Sequence, residues 1–104
     1  MSVNAGIPCK IIRYVYVPGT TPNVFYVDLK AEALMAVGVL ERVTHVFAGF
    51  GIPILQINVI SSNESLGIVV FADVKDRKTA DAVARELKNV PYALQAWYSK
   101  PLVK

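Results

Sequence analysis

The chain has 104 residues, 54% of them hydrophobic and 18% charged, which is enough apolar material for one core and too little length for two. No apolar run reaches the roughly 18 residues that span a bilayer, the start MSVNAGIPCK lacks the basic end and apolar middle of a signal peptide, and the single Cys9 excludes an internal disulfide, so the expected setting is cytoplasmic. The net charge of +3 is unevenly placed: residues 1–74 carry four Lys or Arg against five Asp or Glu, and residues 75–104 carry seven against three.

The segment KIIRYVYV (10–17) is rich in β-branched and aromatic residues and reads as a strand, followed by the turn formers PGTTPN and a second strand, VFYVDLK (24–30). Residues 1–23 are therefore expected to form an N-terminal extension with an extra strand, and residues 24–104 the domain proper. From Val37 the period changes. Val39, Leu40, Val43, Val46, Phe47 and Phe50 share one face of a helix of about four turns. Gly51 can adopt the left-handed conformation that ends a helix, and Pro53 cannot donate the next backbone hydrogen bond.

Leu55, Ile57 and Val59 then alternate with Gln56 and Asn58, the period of a half-buried strand. SSNES supplies a turn, and LGIVVFADV (66–74) is apolar on both faces, as a central or partner-covered strand requires. Asp76 can cap a second helix over 77–89, with Ala80, Val83, Ala84 and Leu87 as its apolar stripe, while Lys78, Arg85 and Lys88 have the spacing of a solvated helix face. Pro91 closes it, and YALQAWYS (92–99) is the last strand.

The order strand, helix, strand, strand, helix, strand is that of a ferredoxin-like α+β sandwich, a βαββαβ arrangement with four antiparallel strands and both helices on one face. The strand 24–30 is then central with both neighbours supplied, so the strand 10–17 is expected at a sheet edge or on another chain. The apolar second face of 66–74 and the high apolar content predict a homodimer or larger assembly, joined edge to edge first and by covering of that face second.

Convergent reactive groups are few. His45, the lone histidine, excludes a histidine metal cluster, and the acids Asp28, Glu32, Glu41, Asp73 and Asp76 show no motif spacing, so no catalytic residue, metal or cofactor is expected. GFGIPI has glycines like those of a dinucleotide motif, but it follows a helix and opens a strand, the reverse of what phosphate binding at a helix start requires. The same topology serves RNA-recognition domains, whose third strand presents stacking aromatic rings; here that strand reads Gly67, Ile68, Val69, Val70, Phe71, Ala72, Asp73, with one ring only, which argues against nucleic acid. Trp97 and Tyr98 near Lys100 read as aromatic packing in the last strand.

The stretch VGVLERVTHVFAGFGIPILQINVIS (37–61) resembles the first helix and second strand of the ACT domain family, whose members are small ligand-sensing modules that work with amino-acid-metabolising enzymes and regulators. Gly38, Val39 and Leu40 match the glycine, apolar residue and leucine that start that family's first helix, and Gly51, Ile52 and Ile54 match its second glycine and turn. In topology the resemblance extends over roughly residues 24–99. It implies an amino acid or related metabolite bound at Ala36, Val37, Gly38 and Val39 and at Ile52, Pro53, Ile54, Gln56 and Asn58, near a subunit boundary, with the ligand carboxylate on the helix start and Gln56 or Asn58 supplying a side-chain contact. It also implies partners: a second copy of the chain and a metabolic enzyme or regulator. Val37 stands where the family often has proline, and Pro53 where asparagine is frequent, which removes a donor from the ligand edge. Two functions stay open, a regulatory ligand-binding domain and a structural dimerisation module without a ligand. In the loop before the helix, Lys30 and Glu32 read first as solvated charges and second as candidates for the charged ends of an amino acid.

Overall fold

The structure, a computed structural model, describes residues 14–35, 38–61 and 63–100. Strand β1 (Pro22–Lys30) leads through a 3-10 turn (Ala31–Met35) into helix α1 (Val39–Gly49); the hairpin of β2 (Ile54–Ser61) and β3 (Ser65–Asp73) follows, then helix α2 (Arg77–Leu87) and strand β4 (Ala93–Ser99). The sheet order is β2-β3-β1-β4 with every neighbouring pair antiparallel. This is the expected ferredoxin-like sandwich.

One face of the sheet carries the main core. Phe25, Val27 and Leu29 of β1 and Ile68 and Val70 of β3 meet Val43 and Phe47 of α1 and Ala80, Val83 and Leu87 of α2, all buried. Phe47 sets its ring edge-on to Phe25 at 5.2 Å, which fixes α1 to the central strand. The end of α1 is closed by backbone bonds: Gly51 N–H donates to Ala48 O and Ile52 N–H to Phe47 O, both at 3.0 Å, with Gly51 at φ 68. This is the six-to-one and five-to-two pattern that a left-handed residue makes possible. At α2, Asp76 caps as expected, its carboxylate accepting from Lys78 N–H and Thr79 N–H.

Three differences from expectation have physical causes. The strand expected over 10–17 is not seen in its described part: Tyr14 to Val17 run without strand pairing, and residues 10–13 lie outside the described residues. Instead Val17 O accepts from Thr20 N–H at 3.2 Å in a turn whose Gly19 has φ 86, and the Tyr14 ring lies flat on Phe71, 4.3 Å away. Next, β4 starts at Ala93 because Tyr92 takes a left-handed conformation, φ 71, and gives its carbonyl to Lys30 N–H. Finally, the outer sheet face is closed within the chain itself, since Val24, Tyr26, Val69 and Phe71 are all buried. The apolar second face of β3 therefore carries no argument for a partner. Nor does it present rings to bases, because Phe71 lies under Tyr14, and Trp97 stacks on Tyr26 at 5.2 Å.

Candidate functional site

A hollow of about 380 Å³ opens where α1 begins, lined by Ala33, by Gly38, Val39, Leu40 and Glu41 of the first helical turn, and by Val59, Leu66 and Ile68 of the hairpin. Antiparallel pairing brings these together: Leu29 at the end of β1 lies opposite Leu66 at the start of β3, and Val59 of β2 lies opposite Ile68. The walls are therefore aliphatic.

The polar features are the helix start and one carboxylate. Gly38 has φ 88 and ψ 2, and no side chain caps the helix. The first intrahelical bond is donated by Arg42 N–H to Gly38 O at 2.9 Å, so the N–H groups of Val39, Leu40 and Glu41 precede the ladder and lie at the positive end of the helix dipole. A Cβ at Gly38 meets nothing within 4 Å, so the glycine is required by its backbone conformation and not by crowding at that atom. Among the described residues, Glu41 is the only charged one lining the hollow. Leu40 and Val59 stand on its rim, 44% and 50% exposed.

Of the residues expected at the site, Gly38 and Val39 line this hollow, while Ala36 and Val37 lie outside the described residues. Ile52 and Ile54 pack against the core and line a different, shallower groove along the flank of α1, with Glu41, Thr44, His45 and Ala48. Pro53 gives its carbonyl to Asp73 N–H at 3.0 Å, where it prolongs the hairpin ladder. Gln56 and Asn58 do not reach the hollow. They pair with Phe71 and Val69, so they share the outer face, and Gln56 Nε2 donates to Asn58 Oδ1 at 2.9 Å. A bulge between Ile54 and Gln56 is the reason Leu55 belongs to the outer cluster while Ile57 packs on the inner one, although strict alternation groups them. Lys30 and Glu32 are not among the lining residues.

Ala33, Leu40, Glu41, Val59, Leu66 and Ile68 were not expected at the site. Leu40 and Glu41 simply follow Gly38 in the first helical turn, whereas the signal for Leu66 and Ile68 is topological: only once the start of β3 is paired to the end of β1 do its inward residues fall beneath the helix start. Among the described residues no three His, Cys, Asp or Glu side chains gather to hold a metal, and no helix is long and apolar enough to cross a membrane. What the hollow offers is backbone donors, one carboxylate and aliphatic walls, a set that binds and orients a small amphipathic molecule.

Comparison with known proteins agrees with this architecture. The ACT domain family model matches residues 36–92, from just before α1 to the start of β4. Among solved structures, the C-terminal domain of the MgtC protein from Mycobacterium tuberculosis is 13% identical with a TM-score of 0.63, covering 84% of this chain and 94% of that one. The ACT domain from GTP pyrophosphokinase of Chlorobium tepidum is 12% identical with a TM-score of 0.62, covering 77% and 99%. A homoserine dehydrogenase from Thiobacillus denitrificans is 16% identical with a TM-score of 0.61, covering 77% of this chain and 17% of that larger one. At these identities the likeness is one of fold. A search of curated proteins found no match. The family match spans more than half of the chain, and on it the chain belongs to the ACT domain family, whose members are regulatory modules.

Proposed function

We propose that this domain senses a free amino acid with a small apolar side chain, and that binding is coupled to pairing with a second copy or to a partner enzyme. The observation that carries the reading is the left-handed Gly38, which starts α1 without a side-chain cap and opens its first N–H groups to an aliphatic hollow. The ligand carboxylate accepts from those N–H groups, Glu41 takes the ammonium, and Val59, Leu66 and Ile68 surround the side chain. The exposed Leu40 and Val59 on the rim are the surface a second copy would cover, and β2, the outermost strand on its side of the sheet among the described residues, is the place for edge-to-edge joining. Such joining would close the site. The matched segment of the homoserine dehydrogenase is a minor part of a larger enzyme, which supports work beside an enzyme, attached or separate. The proposed setting is the cytosol, where free amino acids and the enzymes they regulate meet.

The second reading is a dimerisation module without a ligand. Pro53 favours it, since it has no N–H and its carbonyl is already committed to Asp73. Thermal unfolding with each free amino acid separates the two readings. A binder at 100 times its dissociation constant adds about 2.7 kcal/mol, roughly 10–20 °C in a domain of this size. A panel in which no amino acid moves the midpoint would leave the structural module as the function.

A further inference from the structure

At the opposite end of β1 lies a second hollow, of about 450 Å³, lined by three cations, Lys75, Arg77 and Lys100, by one acid, Asp76, and by Thr21, Asn23 and Tyr98 among others. The cations come from three separate segments: Lys75 from the link between β3 and α2, Arg77 from the first residue of α2, and Lys100 from the residue after β4. These are members of the basic excess that the last third of the sequence carries. Folding thus gathers charge that the sequence spreads over 26 positions, 75–100, into one concave surface.

The nearby acids are already committed. Asp73 accepts from Thr21 N–H at 2.8 Å and from the Lys75 ammonium at 3.2 Å. Asp76 is turned onto its own helix, accepting from Lys78 N–H, Thr79 N–H and the Thr79 hydroxyl, so the start of α2 is not the feature that makes this hollow. Asp81, one turn along, accepts the Tyr98 hydroxyl at 2.6 Å. Among the described residues, Lys75 has an acidic partner, whereas Arg77 and Lys100 have none within ion-pair distance. The floor is polar as well. Asn23 is 6% exposed, and its Nδ2 donates to Val74 O at 2.8 Å, which holds the amide in a fixed orientation against the hollow.

We infer that this hollow is a site for a small phosphate-bearing metabolite, held by Arg77 and Lys100 with Lys75 at its margin. An arginine beside a flexible lysine is a donor set suited to phosphate: the guanidinium offers parallel N–H groups to two oxygens, and the ammonium adds a mobile charge. The inference does not rest on the amino-acid reading, because the two sites lie at opposite ends of β1.

The test is a titration of the full chain with inorganic phosphate and with glycerol 3-phosphate at low salt, followed by amide resonances. Saturable shifts are expected at Thr21, Lys75, Arg77 and Lys100, with Gly38 to Glu41 unmoved. Arg77→Gln and Lys100→Gln should each weaken binding by about tenfold, the loss of one charge-assisted bond, without lowering the melting temperature. Lys78→Gln, on the same helix but outside the hollow, should leave affinity unchanged. Two results would overturn the site: no saturation with either probe, or an equal loss from Lys78→Gln, which would mean diffuse attraction to a basic surface. Amino-acid binding is read at Gly38 in the same spectra, so failure of one site is visible apart from failure of the other.

Discussion

Helices α1 and α2 are each 11 residues long and pack on the same sheet face, yet they begin in opposite ways. α2 begins at Asp76 with extended backbone, φ −119 and ψ 128, and its carboxylate accepts from Lys78 N–H and Thr79 N–H, each at 3.3 Å. α1 begins at Gly38 with left-handed backbone and no side-chain acceptor. A helix start always leaves donors beyond its ladder, and their satisfaction has to come from somewhere. In α2 the chain supplies a carboxylate of its own. In α1 the chain supplies an apolar hollow beside the donors, and under the proposed function a ligand carboxylate takes the place that Asp76 has at α2.

The largest effect comes from removing what fixes α1 to the sheet. Phe47 is fully buried and sets its ring against Phe25, so Phe47→Ala should cost about 3–5 kcal/mol, read as a lower urea midpoint, and should also abolish any amino-acid-dependent stabilisation. Leu87→Ala, the corresponding deletion in α2, should cost about 2–5 kcal/mol but keep the amino-acid response in the fraction still folded. Equal loss of the response in both variants would mean that the two starts are not separate units.

Next in size is the backbone of Gly38. Because a Cβ there has open space, the cost of a side chain is conformational: about 1–2 kcal/mol for Gly38→Ala, more for the branched Gly38→Val, and less for Gly38→Asn, which tolerates the left-handed region. Urea midpoints of the three variants give the order directly. A neutral Gly38→Ala would show that α1 starts as α2 does and would end the contrast.

Much of the fold is legible in single residues. Gly51 followed by Pro53 marks the end of α1, Asp76 marks the start of α2, and the change of period at Gln56 and Asn58 marks a strand. The site is only half legible. Gly38 and Val39 stand out because a glycine before an apolar helix face needs a reason, but Val59, Leu66 and Ile68 look like any core residues until pairing places them under the helix start. The bulge at Ile54 and Gln56 leaves no mark in the alternation, which groups Leu55 with Ile57 and Val59 although Leu55 belongs to the outer cluster. Burial of the outer face is not a local property either: Val69 and Phe71 read the same whether a partner or the chain itself covers them.

A smaller effect tests the capped start. Asp76→Ala should lower the melting temperature by a few degrees, about 4–8 °C, by removing the acceptor for Lys78 N–H and Thr79 N–H, while Asp76→Asn should come close to the parent because asparagine caps as well. If alanine and asparagine behave alike, the carboxylate is not the group that satisfies α2, and the analogy drawn for α1 loses its standard.

The smallest effect separates the charge of that cap from its hydrogen bonds. The hydroxyl of Thr79 and then the backbone N–H of Lys78 hold the Asp76 carboxyl below its ordinary titration range, and the N–H of Thr21 and then Lys75 do the same for Asp73. A group whose titration is depressed by folding contributes stability above its unfolded value, near pH 4, and loses that contribution as the pH falls through its lower folded value. Stability should therefore be flat between about pH 7 and 5 with respect to these two groups and decline below about pH 4. In Asp76→Asn the amide cannot take up a proton, so the variant should start slightly below the parent at pH 6 and lose less on acidification, and the two urea midpoints should converge as the parent's carboxylate is protonated. Parallel lines over that interval would show that Asp76 is titrating as an ordinary exposed carboxylate. They would also mean that a ligand carboxylate at α1 gains from hydrogen bonding alone, with no help from the charge at the helix start.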